Sequence, residues 1–245
     1  MLDNVVFLSN SIRKSGSSLL FNLQRDLLNA LSGRRNCDYS PLEEAGLRHS
    51  GGFLPTPEVP KFLRLMNEGK IVFDGPVSIK LHTAVSPQLR DRYVRDDNMF
   101  MSMIVRDPLD ALMSAMENHR RTGEFVHFDT VENGCRTVNN FFQQIYDTSV
   151  GIDEKPIPIV HYLSLKEDPI QTLFDSFHPA LRDRITLAAI DHHLDLKNSS
   201  KKAAHRLQSG AARRSIEGIP EAERDFVLST LADFRAKLGY GEKSD

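Results

Sequence analysis

Residues 5–28 constrain the fold of this chain more than any other stretch. Val5-Val6-Phe7-Leu8 is a short apolar run of the kind that forms a buried strand. A loop of basic and small residues follows: Arg13, Lys14, Ser15, Gly16, Ser17 and Ser18. Leu19, Leu20, Leu23, Leu27 and Leu28 then recur at helical spacing, which predicts a helix over 17–31. Strand, loop and helix in that order make an anion-binding arrangement. The first N–H groups of a helix have no internal partners, and its dipole leaves partial positive charge there. Gly16 lets the backbone approach an anion closely, the serines add hydroxyl donors, and Lys14 adds a movable charge. A phosphorylated ligand is therefore expected at this loop, although the segment would equally serve as a solvated turn capping a helix.

The same alternation continues down the chain. Strands are predicted at 4–9, 77–82, 100–105 and 157–162, and helices at 17–31, 57–68, 87–95, 108–121, 131–148, 169–177, 180–195 and 220–237. Strands separated by helices imply parallel pairing with right-handed crossovers. The expected fold class is thus α/β, with a central parallel β-sheet flanked by helices. A length of 245 residues fits one domain, 1–245, with a substantial core. Pro57, Pro87, Pro108, Pro169 and Pro220 each fall where a first helical turn is expected. Segments 33–60 and 196–218 lack clear periodicity and are candidate lids.

The loop is not a Walker A sequence, which needs Gly-x-x-x-x-Gly-Lys-Ser/Thr; here Lys14 precedes Gly16 and no earlier glycine exists. The order Lys-Ser-Gly-Ser-Ser instead resembles the P-loop-like 5′-phosphosulfate-binding loop of the cytosolic sulfotransferases, which use 3′-phosphoadenosine 5′-phosphosulfate (PAPS). A second segment points the same way. Phe100 to Val105 reads as a buried strand ending at Arg106, and Asp107-Pro108 starts a helix with Asp107 as N-cap. Ser114 lies eight residues after Arg106. This is similar to the family's 3′-phosphate-binding segment, where such an arginine and serine hold the phosphate that distinguishes PAPS from ATP. A guanidinium matches phosphate oxygens in fork geometry, although Arg106 could also make a simple surface ion pair.

Val77, Ile79 and Leu81 alternate with Ser78, Lys80 and His82, as in a strand with one polar face. A Lys-x-His pair at the end of a strand resembles the family's catalytic segment, in which the histidine removes the proton of the acceptor hydroxyl. Imidazole suits that task at neutral pH. Arg213-Arg214-Ser215-Ile216-Glu217-Gly218 has the spacing of the family's Arg-Lys-Gly-x-x-Gly element, with Ser215 in place of the first glycine; Arg213 and Arg214 are candidates for the 3′-phosphate, or a basic loop. Val160 to Pro169 is similar to the family's Tyr-Glu-Asp-Leu-Lys-x-Asp-Pro stretch, and Tyr162 lies near the adenine or in the core. His192-His193 precede Leu196-Lys197-Asn198, where the family has a phenylalanine that stacks on adenine, so His193 is a candidate for stacking. Adjacent histidines on a helix point apart, and no third ligand stands at useful spacing, so no metal site is expected.

These matches occur in the family's order over residues 8–218. The resemblance implies an in-line transfer of the sulfuryl group of PAPS to a small-molecule acceptor, leaving 3′-phosphoadenosine 5′-phosphate (PAP), with His82 as base and with Lys14 and Lys80 neutralising the leaving phosphate. The sequence does not choose among alcohol, phenol, amine, sugar and peptide tyrosine acceptors, nor does it give an oligomeric state. Two other readings stay open: a P-loop-type kinase or nucleotide phosphotransferase, and a non-catalytic PAP-binding protein. A net charge of −2 gives no broad basic surface for nucleic acid. No apolar run approaches a membrane span. Cys37 and Cys135 are too few for a disulfide framework and fit a reducing compartment. With no room for a signal peptide before the first strand and no anchor of the Golgi type, a cytoplasmic location is expected.

Overall fold

The computed structural model of the chain describes residues 2, 4–183, 185, 187, 190 and 216–240. Its centre is a four-stranded sheet of β1 (Val6–Ser11), β2 (Val77–Leu81), β3 (Met99–Val105) and β4 (Ile159–His161), in the order β2-β1-β3-β4. Every pairing is parallel. Val6 stands opposite Val77 on one side and Met99 on the other, and Met103 stands opposite Ile159. All six residues of β1 and all seven of β3 are buried. Their two-residue period divides the core between two layers. Val6, Leu8, Met99, Met101, Met103 and Val105 join one cluster, whereas Val5, Phe7, Phe100 and Ile104 join the other.

Helix α1 (Ser17–Leu31) covers the second face with Leu19, Leu20, Leu23, Leu27 and Leu28, as its spacing predicts. A short α2 (Ser40–Glu44) and α3 (Val59–Asn67) precede β2, and α4 (Pro87–Arg95) links β2 to β3. After β3 come α5 (Pro108–Thr122), α6 (Val131–Thr137) and α7 (Gln143–Val150). Beyond β4 are α8 (Tyr162–Glu167), α9 (Pro169–Asp175), α10 (Pro179–Arg182) and α11 (Glu221–Lys237). Caps set several of these starts. The Asp107 carboxylate accepts from the Leu109 N–H at 2.9 Å and is held in bidentate fashion by Arg235, both contacts at 3.0 Å. Asp168 caps α9 through the Gln171 N–H.

The structure departs from the sequence expectations at several points. The strand expected to 162 stops at His161, because Tyr162 already begins α8. Within the expected helix 131–148, residues Val138–Phe142 form a π-helical turn between α6 and α7. Residues 33–60 are not all loop: Ser40–Glu44 is helical, and the Leu54 N–H donates to the Lys80 carbonyl at 3.0 Å while the Lys80 N–H donates to that of Gly52 at 2.9 Å. Those bonds tie the segment to the edge of β2. Of the expected helix 180–195, Pro179–Arg182 is seen; most of its remainder, like most of the candidate lid 196–218, lies outside the described residues.

Chain order places the site. The chain runs from β1 to β2 on one side and returns to β3 on the other, so the connections leaving β1 and β3 diverge. A crevice forms at the C-terminal ends of strands at such a switch point. The segments following β1, β2, β3 and β4 supply Arg13, Lys14 and Gly16, then His82, Arg106 and Tyr162 to that crevice.

Candidate active site

A cleft of about 470 Å³ opens there, lined by Arg13, Lys14, Gly16, Ser17, Ser18, Leu19, Phe53, Lys80, His82, Arg106, Phe125 and Tyr162. Four of these side chains are cationic and none is a carboxylate.

The loop after β1 is bent by two left-handed residues, Lys14 at φ 63° and Gly16 at φ 91°. Gly16 is required for two reasons. An L-side chain is strained at that φ, and a Cβ would fall 2.3 Å from Cδ2 of Tyr162 and 3.3 Å from Cδ1 of Ile104. The Tyr162 ring therefore lies directly on the loop. Helix α1 has no side-chain cap and no acidic residue in its first turn, and its first bonds run from the Leu19 and Leu20 N–H groups to the Gly16 carbonyl. The preceding N–H groups at Ser17 and Ser18 thus stand at the cleft with the positive end of the helix dipole.

Gly16→Ala is expected to lower the thermal midpoint by roughly 5 °C, from the left-handed penalty alone. Because the added methyl group meets Tyr162, G16A and Y162A together should cost less than the sum of the two singles. Additive losses in a thermal-melt double-mutant cycle would contradict this packing.

Not every loop residue faces the cleft. The Ser15 hydroxyl is fully buried and donates to the carbonyls of Ile12 and, at 3.0 Å, Ile104. It clamps the loop between β1 and β3 and is turned away from the ligand space. Ser17 is buried at the start of α1, and the Ser18 hydroxyl accepts from Nζ of Lys80 at 2.8 Å. Lys14 Nζ sits 4.6 Å from the centre of the Phe125 ring, and the Arg13 guanidinium 5.6 Å from it. Burial holds Lys14 below the usual lysine range, with repulsion from Arg121 and Arg13 adding to it against the attraction of Glu124 and Glu117.

His82 follows β2 directly and is 8% exposed. Its Nδ1 lies 2.8 Å from the Ser11 carbonyl, which only accepts, and 3.2 Å from the Ser11 hydroxyl. That pairing assigns the ring proton to Nδ1 and leaves the lone pair on Nε2. Burial pushes the imidazole pKa down to about 3; Lys80 and Arg13 depress it further, and the Ser11 carbonyl opposes them. The ring is neutral at physiological pH. Phe53 packs against it with ring centres 5.4 Å apart, and Thr56 donates to its carbonyl at 2.9 Å. Asn10 fixes the turn by bonding both the carbonyl and the N–H of Thr83.

Arg106 is 8% exposed, with its guanidinium 4.6 Å above the Tyr162 ring and Nε 3.4 Å from the buried Asp110. Those contacts hold the fork at the cleft wall. Ser114 sits half-buried on α5 and is not part of the cleft lining. His193, Arg213 and Arg214 lie outside the described residues. Among the described residues no three His, Cys, Asp or Glu side chains are grouped to hold a metal ion, and no helix is long and apolar enough to cross a membrane.

The structure brings Arg13, Lys14, Gly16, Ser17, Ser18, Lys80, His82, Arg106 and Tyr162 to one cleft. Motif spacing did not single out Ser11, whose carbonyl sets the His82 tautomer, or the contact of Phe125 with both loop cations. Neither carries a local pattern: Ser11 meets His82 across 71 residues, and Phe125 reaches the loop from beyond α5.

No protein-family model and no curated protein matches the sequence. Among solved structures, retinol dehydratase in complex with androsterone and the inactive cofactor PAP aligns over 95% of this chain and 80% of its own, with 13% identity and a TM-score of 0.52. A sulfotransferase domain from the curacin biosynthetic pathway aligns over 93% of this chain and 97% of its own, with 16% identity and a TM-score of 0.41. One from the Synechococcus PCC 7002 olefin synthase aligns over 93% and 94%, with 17% identity and a TM-score of 0.39. The α/β fold of this chain is that of the retinol dehydratase.

Proposed function

We propose that the protein transfers the sulfuryl group of PAPS to a hydroxyl of a small-molecule acceptor. The observation that carries this reading is the convergence of Arg13, Lys14, Lys80 and Arg106 on an uncapped helix start beside a neutral imidazole, with no carboxylate among the described lining residues. Such a cleft favours a polyanion. The retinol dehydratase that shares the fold holds PAP, which supports a nucleotide of that class here.

In this reading the loop at Lys14 to Ser18 takes the 5′-phosphosulfate, and Arg106 takes the 3′-phosphate while its stacking partner Tyr162 lies beside the nucleotide. The acceptor oxygen forms a bond to sulfur as the bond from sulfur to the bridging phosphate oxygen breaks. That oxygen keeps the electron pair and leaves as part of PAP. The acceptor proton passes to Nε2 of His82. Lys14 and Lys80 offset the charge that builds on the leaving oxygen, a contribution that is large where water is excluded. Ser15 acts only as the clamp of the loop. A ring with pKa about 3 is by itself a weak base. The negative charge of the bound donor raises it towards the useful range, so basicity is switched on by donor binding.

The test is to incubate the protein with PAPS and a panel of phenols, alcohols and amines, and to look for sulfated product and PAP by mass spectrometry. Stoichiometric formation of both is expected. PAP binding with no sulfated product from any of these acceptors would contradict the catalytic reading.

A further inference from the structure

A strap of chain, residues 50–56, is laced along the outer edge of β2, the strand that leads to Lys80 and His82. It starts with a tight hairpin. Ser50 and Phe53 exchange both backbone bonds at 3.0 Å. The two residues between them, Gly51 at φ 53° and Gly52 at φ 86°, are left-handed, as a two-residue turn of this kind requires. Tyr39 backs the turn: a Cβ on Gly52 would fall 2.4 Å from its hydroxyl oxygen, and that hydroxyl donates to the Ser78 carbonyl of β2 at 2.8 Å. Further along, the strap bonds β2 on both sides of Phe53, through the Gly52 carbonyl and the Leu54 N–H, and the Thr56 hydroxyl then holds the carbonyl of His82. Successive side chains of such an extended segment face opposite ways. Leu54 is fully buried in the core, and Phe53 lines the cleft.

What the lacing delivers is one aromatic ring against two polar side chains. The centre of the Phe53 ring lies 5.4 Å from that of His82 and 5.6 Å from Nζ of Lys80. Among the described residues the charged groups acting on the imidazole are the cations Lys80 and Arg13, so the Ser11 carbonyl and packing, not a carboxylate, orient the ring. We infer that Phe53 is a positioning residue: the strap presses its ring on His82 and Lys80, which keeps Nδ1 of His82 on Ser11, Nε2 aimed at the acceptor, and Nζ of Lys80 on Ser18. The transfer step that this serves rests on the sulfuryl-transfer reading; the hold on His82 rests on the packing alone.

The test compares the wild-type chain with Phe53→Ala and Phe53→Leu. Nitrogen-15 NMR of the His82 imidazole at pH 8, where the ring is neutral, reads its tautomer. Turnover of PAPS is followed with whichever phenol, alcohol or amine of the panel above gives the most product. Phe53 is half-buried at the sheet edge, so F53A should keep the fold; a thermal melt checks this, and F53V replaces F53A if the melt is not cooperative. The wild type is expected to show the Nδ1–H tautomer alone. F53A is expected to mix the two tautomers and to lose roughly 30-fold in kcat, with the KM for PAPS within about threefold, as for a lost orientation and not a lost binding contact. F53L, which keeps an apolar wall, should recover most of both. A wild-type tautomer in F53A, or a kcat within about threefold of the wild type, would overturn the inference. If F53A mixes the tautomers while the wild type gives no sulfated product with any acceptor, the hold on His82 stands and the sulfuryl-transfer reading falls.

Discussion

Replacing His82 by asparagine is expected to lower turnover about 1,000-fold, within the range of a lost general base, and to change PAP affinity by less than about threefold. The reason lies in which ring nitrogen is occupied. Nδ1 is tied to the Ser11 carbonyl, so asparagine can keep that bond through its amide N–H while offering no basic nitrogen to an acceptor. Turnover near the wild-type level would remove His82 from the mechanism. The same variant reports on burial. The folded imidazole titrates near 3 and the unfolded one near its ordinary value of 6.5. Between those values the unfolded chain binds the extra proton, so the contribution of His82 to stability is full above 6.5 and is lost as pH falls towards 3. Urea midpoints should therefore drop more steeply from pH 7 to pH 5 in the wild type than in H82N. Parallel pH profiles would show that the ring is not held neutral by burial.

Arg106→Lys is expected to weaken PAP about 30-fold, roughly 2 kcal/mol, while ADP changes by less than about threefold. Lysine keeps a positive charge beside Asp110, so the buried carboxylate is not stranded. It loses the planar fork and the face that lies on Tyr162. The two nucleotides carry two phosphates each and differ in where the second sits, on the 3′-oxygen in PAP and on the 5′-phosphate in ADP, so calorimetric titration of both separates what Arg106 reads at the 3′ position. Equal weakening of PAP and ADP would show that Arg106 acts only as a structural partner of Asp110 and Tyr162.

Much of this arrangement is legible along the chain, because the site is built from strand ends. Val5 to Leu8 and Phe100 to Val105 declare buried strands by their apolar runs, and the residues after them, Arg13 to Gly16 and Arg106, inherit the position of a switch-point crevice. Alternation at 77–82 places Lys80 and His82 on one face, and both line the cleft. Other features are products of packing between distant segments. Nothing local shows that the Ser15 hydroxyl turns inward to Ile104, because that depends on how closely β3 passes the loop. The π turn at Val138–Phe142 arises inside a pattern that reads as continuous helix. The short β4 ends before Tyr162, since a Tyr-Leu-x-Leu run satisfies helical and strand spacing alike.

In the proposed function the cleft reads a 3′-phosphorylated nucleotide through Arg106 and the loop at Lys14 to Ser18. The most direct measurement is calorimetric titration of the protein with PAP beside ADP and ATP–magnesium. Tight binding of PAP is expected, with ADP weaker by at least about tenfold, the equivalent of one lost charge-assisted contact. Preference for ATP–magnesium over PAP would contradict it and move the search to phosphoryl transfer.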